Sequence, residues 1–298
     1  SIIRKRVSIG LLKISLLEKT FEKYLSQQLI KDYITSIIDI GCCLLRFSKD
    51  STLAKFATTM FELLFNHVYI ATIYRGEILS RLISLTGSND PTTINIVLKI
   101  IWSLVLIDQE KVKRHMPLLM QLLEKIDTLD LKDVKIVFDI LCSLACKENA
   151  NSSLSGFKNE INNIIRKHVS SSERATKHRG IVSAIVMVKH MVSVEQDLNN
   201  SSSEQESPIA HCLTGSAKEA ADLLNDINHS TGGCPEFLSL FYDQLASILA
   251  SSLCFDKYFL FWLYEKINQD FNAIFITRIT PGPLNGLDFS MQYNQNDS

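Results

Sequence analysis

The chain has 298 residues, 46% of them hydrophobic and 21% charged, which is typical of a folded protein and excludes a disordered tail. No apolar run approaches the roughly 20 residues of a membrane-spanning helix, so we predict no membrane association, and Lys13, Glu18 and Lys19 argue against a secretory signal. The net charge of −1 hides an asymmetry, because residues 1–192 hold 27 Lys and Arg against 18 Asp and Glu, whereas residues 193–298 hold 4 against 14. We expect the two parts to face different surroundings, the first a polyanion or an acidic partner and the second a basic surface.

Apolar residues recur at spacings of three and four along most of the chain, which predicts helices. We predict them over residues 4–26, 28–47, from 51, 70–85, from 91, 109–126, from 131, 157–169, 173–193, from about 216 to 251, and 256–268. Ser51, Asp90 and Asp130 are the predicted N-caps, because each carries an oxygen that can accept from an N–H group of the first turn. Pro91 suits a first turn, and Pro117 either kinks its helix or marks the start of one.

The predicted helix starts recur about every 20 residues, so a helical pair takes about 40, which is the period of HEAT-type repeats. We therefore predict an all-α fold, a HEAT-like helical-repeat solenoid. An irregular helical bundle is the alternative, because no sequence motif accompanies the spacing. Leu98, Ile101 and Trp102 are expected in the interior between successive pairs.

Four regions are predicted along this array. The solenoid is expected over residues 1–193, a polar mobile loop over 194–215, a continuing helical segment over 216–280 and an irregular tail over 281–298. The segment AIFITRI at 273–279 alternates and is β-branched, which predicts a short strand.

The sequence contains no phosphate-binding, dinucleotide-binding, nucleophile-elbow or zinc-protease motif, so we predict that it is not an enzyme and binds no cofactor. The seven cysteines are an odd number without a C-x-x-C pair and are expected to be reduced thiols. Cys142 and Cys146 lie four apart on one helical face, but no histidine or further cysteine stands near to complete four metal ligands. We predict that both are buried apolar side chains and that the chain has no metal site.

Lys31 lies in the predicted helix 28–47, at the border between its apolar and polar faces and on the side of Ile38 and Cys42. A lysine at such a border lays its methylene stem along apolar surface and holds its amine at the edge of a groove. A lysine that merely borders a core has the same pattern, and periodicity alone does not distinguish the two.

A basic cluster extends from residue 158 to residue 189 and holds seven Lys and Arg against two Glu. Such a surface can neutralise phosphates without reading sequence. A solvated helical face is the alternative, since no aromatic residues interleave to stack on bases. The candidate DNA contacts are Arg166, Lys167, Arg174, Lys177 and Arg179.

Several segments carry a family resemblance, and they occur in one order along the chain. They are ISLLEKTF (14–21), LIKDYITSIIDIGCCLL (29–45), FKNEINNIIRKHVSSS (157–172), KHRGIVSAIVMVKHM (177–191), FLSLFYDQLASIL (237–249) and INQDFNAIF (267–275). Together they resemble the Fanconi anaemia group D2 family. The spacing between LLEKTF and LIKD is longer by a residue or two than the family pattern, and residues 195–208 have no recognisable counterpart.

The resemblance implies a non-enzymatic helical scaffold of DNA interstrand-crosslink repair, nuclear and associated with chromatin. It implies that the lysine of the L-x-K-D segment, here Lys31 followed by Asp32, is the acceptor of a single ubiquitin delivered by the ubiquitin-conjugating machinery. It also implies pairing with the paralogous Fanconi group I protein to clamp double-stranded DNA. A generic HEAT-type interaction scaffold without modification and the group I paralogue itself are the alternatives.

Overall fold

The computed structural model describes residues 2–25, 31–47, 49–67, 70–146, 155–194, 213, 215–251 and 254–273. Within these ranges the chain forms fourteen α-helices, two 3₁₀ helices (Lys31–Tyr33 and Met120–Thr128) and a single isolated β-bridge between Ser193 and Phe255. The α-helices are α1 (Ile2–Ser8), α2 (Ile14–Leu25), α3 (Ile34–Leu45), α4 (Ser51–Asn66), α5 (Thr72–Leu85), α6 (Pro91–Ile107), α7 (Gln109–Lys113), α8 (Met116–Leu119), α9 (Leu131–Ala145), α10 (Ser155–Val169), α11 (Arg174–Val192), α12 (Gly215–Thr231), α13 (Pro235–Leu249) and α14 (Lys257–Phe271). None of these helices is long and apolar enough to cross a membrane.

The helices stack in two rows. In one row α2, α4, α6, α9, α11 and α13 each pack against the next. In the other row α3 packs on α5 and α5 on α8, and further along α12 packs on α14, while ion pairs join α10 to α12. This two-row stacking confirms the predicted all-α solenoid, in which each helical pair buries its apolar sides against its neighbours.

The core is densest around α11, which contacts α9, α10, α12 and α13. Every residue from Ile181 to Val188 is buried, and Ser183 is the one polar residue among them, as expected for a helix enclosed by neighbours. At Gly180 the backbone of α10 comes so close that an added Cβ would lie 2.5 Å from the backbone nitrogen of Val169. A residue without a side chain is therefore required where α10 meets α11.

Three helix starts test the predicted caps. Asp90 and Pro91 begin α6 as predicted, and the Asp90 carboxylate accepts from a first-turn N–H group at 3.2 Å. The prediction of Ser51 as the N-cap of α4 is wrong, because Asp50 occupies that position and accepts from two first-turn N–H groups at 3.0 and 3.4 Å. Asp130 is the N-cap of α9, but its side chain makes no capping hydrogen bond.

Three predicted helices are divided in the structure. The one predicted from about 216 to 251 forms α12 and α13, with Pro235 in the first turn of α13. The predicted helix 4–26 is broken between α1 and α2, where Gly10 adopts a positive φ of 74° that side-chain-bearing residues rarely accept. The predicted helix 109–126 is replaced by α7, α8 and a 3₁₀ helix, and Pro117 stands in the first turn of α8. Periodicity continues through these breaks, so only the special backbone demands of glycine and proline locate them.

Residues 98–102 of α6 occupy the interior nearly as predicted. Leu98 and Ile101 are fully buried. Trp102 is only half-buried, and its ring lies edge-on to the imidazole of His190 with centroids 6.5 Å apart. The indole therefore reaches from α6 to α11 as a half-buried contact rather than lying in the core.

Most of the predicted loop and the predicted tail lie outside the described residues, as does the predicted strand beyond Ala273. Val194, which begins the predicted loop, donates its N–H to the carbonyl of Cys254 at 2.9 Å. Asp256 donates its N–H to the carbonyl of Val192 at 3.0 Å. These two bonds hold the start of α14 against the end of α11.

A partly buried charge cluster joins α9 to α11. One carboxylate oxygen of Asp139 accepts from the Lys189 amine at 2.7 Å and from the His190 imidazole at 2.8 Å, and the Asp139 side chain is 14% exposed. Burial raises the pKa of Asp139, but the hydrogen bonds from His190 and Lys189 outweigh it and hold that pKa below its usual value of 3.8. The charged carboxylate is thus favoured more in the folded chain than in the unfolded one.

We predict that Asp139→Asn removes an acid-dependent contribution to stability. A carboxylate whose folded pKa is depressed stabilises the fold above its unfolded pKa and loses that effect as the pH falls through its folded pKa. At pH 7 the substitution should cost roughly 1.5–3 kcal/mol, as for hydrogen bonds to a charged group. Below about pH 4 the difference from wild type should shrink.

Urea unfolding between pH 3 and pH 7 measures both effects. Asp222→Asn is the matched control, because Asp222 is exposed on α12 and its loss should change the free energy of unfolding by less than about 0.5 kcal/mol. A difference between Asp139→Asn and wild type that stays constant over the whole pH range would contradict the prediction.

Candidate functional site

Lys31 lies in a 3₁₀ turn, Lys31–Tyr33, which leads directly into α3. The prediction of one α-helix over residues 28–47 is therefore wrong at its start. Tyr33 takes the N-cap position of α3 without a side-chain capping bond. Because a 3₁₀ turn has about 3.0 residues per turn instead of 3.6, a helical projection drawn through α3 does not fix the direction of residue 31.

Helix α3 itself has the two faces that the sequence predicts. Its exposed residues include Thr35, Ser36 and Asp39, and its buried face packs on α4 and α5. The apolar spacing in the sequence predicts a buried stripe of Ile30, Ile34, Ile37, Gly41, Leu44 and Leu45. The observed buried face is rotated from it, because Ile38 is fully buried and Ile37 only half-buried. The buried residues of α3 are Ile34, Ile38, Gly41, Cys42, Leu44 and Leu45.

Gly41 allows α3 to approach α4 closely. An added Cβ at this position would lie 2.7 Å from the ring of Phe61. Next to it, burial raises the pKa of the Cys42 thiol to about 11, so this sulfur stays protonated at neutral pH and has a packing role. The helix that follows the Lys31 turn is thus fixed against its neighbour.

Polar contacts fix the solvent side of α3 to α5. The Thr35 hydroxyl donates to a carboxylate oxygen of Glu77 at 3.3 Å, and Arg81 pairs with Asp39 at 3.5 Å. Asp32 and Tyr33 stay exposed, Tyr33 with 65% of its surface. The turn that contains Lys31 is therefore an accessible stretch of backbone at the start of an immobilised helix.

An apolar groove lies beside this helix, between α1 and α3. It encloses about 490 Å³ and is lined by Ile3, Ile40, Leu44 and Phe47 together with Arg4, Asp39 and Cys43. A groove of this character on the same helix suits a protein partner more than a polar ligand.

The predicted DNA contacts Arg166 and Arg174 lie on α10 and α11 and face acidic residues of α12 and α13. The Arg166 guanidinium pairs with Asp226. The Arg174 guanidinium donates to Glu236 at 2.9 Å, and this pairing lowers the pKa of the Glu236 carboxyl. Both arginines are therefore already matched with carboxylates in this fold.

The other three predicted contacts have separate surroundings. The Lys177 amine donates to the carbonyl of Ser230 at 2.8 Å, near the end of α12, and lies over the Phe237 ring. The Arg179 guanidinium donates to the carbonyl of Asp127 at 2.7 Å. Lys167 is exposed, and within the described part of the chain it has no ion pair.

The expectation that the basic and acidic parts of the chain face different surroundings is wrong for this region. Lys158 adds a third contact of the same kind, because its amine donates to Glu219 of α12 at 2.6 Å. The acidic surplus after residue 192 thus offsets the basic cluster directly. The opposite net charges of residues 1–192 and residues 193–298 were the signal for this pairing in the sequence.

Further cations, which form no cluster in the sequence, come together at the other end of the solenoid. Arg4, Arg46 and Lys49 line a cleft of about 630 Å³. Among the described residues there is also no group of three or more His, Cys, Asp or Glu placed to hold a metal ion, and Cys142 and Cys146 are both buried on α9.

The chain is similar to the members of one protein family. The family model described as "Fanconi anaemia protein FancD2 nuclease" matches residues 1–295. Similar proteins include the Fanconi anemia group D2 protein homolog of Drosophila melanogaster, 24% identical over 100% of this chain and 20% of its own length, and the Fanconi anemia group D2 protein of Gallus gallus, 22% identical over 94% and 19%. The Mus musculus homolog is 20% identical over 98% of this chain and 19% of its own. The chain thus spans about a fifth of the length of these relatives.

Proposed function

The chain belongs to the FancD2 family, and from this we propose that it is a non-enzymatic scaffold of the Fanconi DNA-repair pathway that receives a single ubiquitin on Lys31. The family description contains the word nuclease, but the proposal assigns this chain no catalytic step. Lys31 acts as a substrate residue, and the conjugating machinery supplies the chemistry.

The observation that carries the proposal is the position of the Lys31–Tyr33 turn in the fold. Lys31 begins the 3₁₀ turn before α3, and the next two residues of that turn, Asp32 and Tyr33, are exposed. An acceptor needs a backbone that a conjugating enzyme can reach and a rigid element that holds it in one orientation. The packing of α3 on α4 and α5 supplies the rigid element.

The proposal includes the paralogous Fanconi group I protein as partner and double-stranded DNA as the ligand that the pair clamps, at interstrand crosslinks in nuclear chromatin. The solenoid architecture supports it, because stacked helical pairs give extended surfaces for a large partner. The apolar groove between α1 and α3 supports a protein interface on the same side as the Lys31 helix.

Arg166, Lys167, Arg174, Lys177 and Arg179 remain proposed DNA contacts. Lys167 is exposed and can meet a phosphate directly. The two arginines that pair with Asp226 and Glu236 must exchange a carboxylate for a phosphate, so each adds less affinity than an unpaired cation would.

A reconstituted conjugation reaction tests the function. The chain is incubated with the group I protein, duplex DNA, ubiquitin and the conjugating enzymes, and the product is read by intact mass. We expect one ubiquitin per chain. Absence of attachment, or attachment to many lysines, would instead favour the generic HEAT-type scaffold; the group I paralogue is disfavoured because the relatives named above are group D2 proteins.

A further inference from the structure

A cleft of about 630 Å³ opens at the N-terminal end of the solenoid. It lies between α1, the connection from α3 to α4, and the start of α6. Its polar lining includes Arg4, Arg46, Lys49, Asp50, Asn89 and Asp90. Three cations and two carboxylates thus share one open surface, and the chemistry of the cleft depends on which of them are already engaged.

Both carboxylates are engaged within the fold. Asp50 accepts from the Ser8 hydroxyl of α1 at 2.8 Å and from two N–H groups at the start of α4. Asp90 accepts from the backbone N–H of Thr93 at 3.2 Å and from its hydroxyl at 2.7 Å, at the start of α6. The positive end of each helix offsets the carboxylate that caps it.

The cations are held differently. Arg46 and Lys49 are exposed, and within the described part of the chain neither forms an ion pair. The Arg4 guanidinium lies 4.3 Å above the centre of the Phe47 ring, and stacking of this kind fixes the orientation of a guanidinium. The exposed residues Lys5 and Arg6 continue the positive surface along α1.

We propose that this cleft binds the phosphodiester backbone of duplex DNA, with Arg4, Arg46 and Lys49 contacting phosphates and the Asn89 amide as a further donor. The proposal rests on the DNA clamp of the proposed function and specifies where this chain makes contact. It contrasts with the cluster at residues 158–189, whose positive charge is offset by carboxylates of α12 and α13.

The distribution of the cations favours a polymer over a single phosphate group. One phosphate is satisfied by two or three basic side chains, whereas here five cations extend from α1 to the start of α4. An open cleft with charge on both sides suits a backbone that runs along it and presents successive phosphates.

Fluorescence anisotropy with a labelled DNA duplex at several salt concentrations tests the cleft. The protein is measured in complex with the group I partner, as wild type, as Arg46→Gln/Lys49→Gln, and as Lys218→Gln/Lys257→Gln. The last variant is the matched control, since it removes two exposed cations at the other end of the stack. The cleft variant should lower the slope of log K against log salt by about 1.8, or 0.9 for each lost phosphate contact, and the control should leave the slope unchanged.

The possible outcomes separate the DNA assignment of this cleft from DNA binding by the complex as a whole. If the wild-type complex binds DNA and the cleft variant shows the same slope of log K against log salt, the DNA assignment of the cleft is wrong and the proposed function stands. No binding by the wild-type complex would overturn both. Binding of a phosphoserine peptide that the cleft variant loses, with the DNA slope unchanged, would assign the cleft to a phosphorylated protein and overturn the DNA assignment. Unchanged thermal unfolding of the variants, followed by circular dichroism, shows that the comparison is between folded proteins.

Discussion

Lys31→Arg should abolish ubiquitin attachment while the chain keeps its fold. When the isopeptide bond forms, the lysine nitrogen attacks the ubiquitin thioester carbonyl, loses a proton and expels the thiolate of the conjugating enzyme. The arginine guanidinium stays protonated and cannot perform this attack, although it keeps the positive charge and most of the stem. We expect the product to fall from one ubiquitin per chain to none.

The test is the conjugation reaction on wild type and Lys31→Arg with the group I protein and DNA present. Intact mass then counts the ubiquitins attached to each chain. Lys99→Arg is the matched control, because Lys99 is exposed on α6 and should leave attachment unchanged. Thermal unfolding of both variants should differ from wild type by less than about 0.5 kcal/mol, as for ordinary surface substitutions. A single ubiquitin still attached to Lys31→Arg would show that another lysine is the acceptor.

Gly180→Ala should destabilise the fold more than any surface change considered above. The new Cβ would lie 2.5 Å from the Val169 nitrogen and 2.6 Å from the His168 carbonyl carbon, and backbone atoms cannot turn away as the end of a side chain can. Moving α10 away from α11 would loosen the α9–α10–α11 packing and the ion pairs that α10 makes with α12. Overpacking of this kind costs roughly 1–3 kcal/mol, occasionally more.

Gly156→Ala is the control that isolates the steric effect. Gly156 also lies in a helix, α10, but an added Cβ there would meet nothing within 4 Å. Alanine should therefore stabilise this helix by up to about 1 kcal/mol through its higher helix propensity. Urea unfolding should show opposite signs for the two variants, and a stabilising Gly180→Ala would disprove the close approach of α10 and α11.

Local patterns in the sequence determined the helical character of the chain. Apolar spacing of three and four predicts α6 and α11, and Asp90 with Pro91 marks the start of α6 correctly. These signals succeed because the hydrogen bonds and first-turn caps of a helix involve residues within four positions of one another. The candidate acceptor Lys31 came from the resemblance of its segment, since a lysine beside an apolar helix face is chemically ordinary.

The tertiary structure alone decided how the charges are used. Lys158, Arg166 and Arg174 meet carboxylates 60 to 62 positions further along the chain, so no local pattern could assign them to ion pairs instead of an open surface. The same is true of the cleft, whose Arg4 and Lys49 are brought together by packing of α1 against α4. Periodicity records which face of a helix is buried, but the identity of the element that covers it depends on contacts between segments far apart in the chain. At the N-terminal end these contacts leave Arg46 and Lys49 exposed in the cleft.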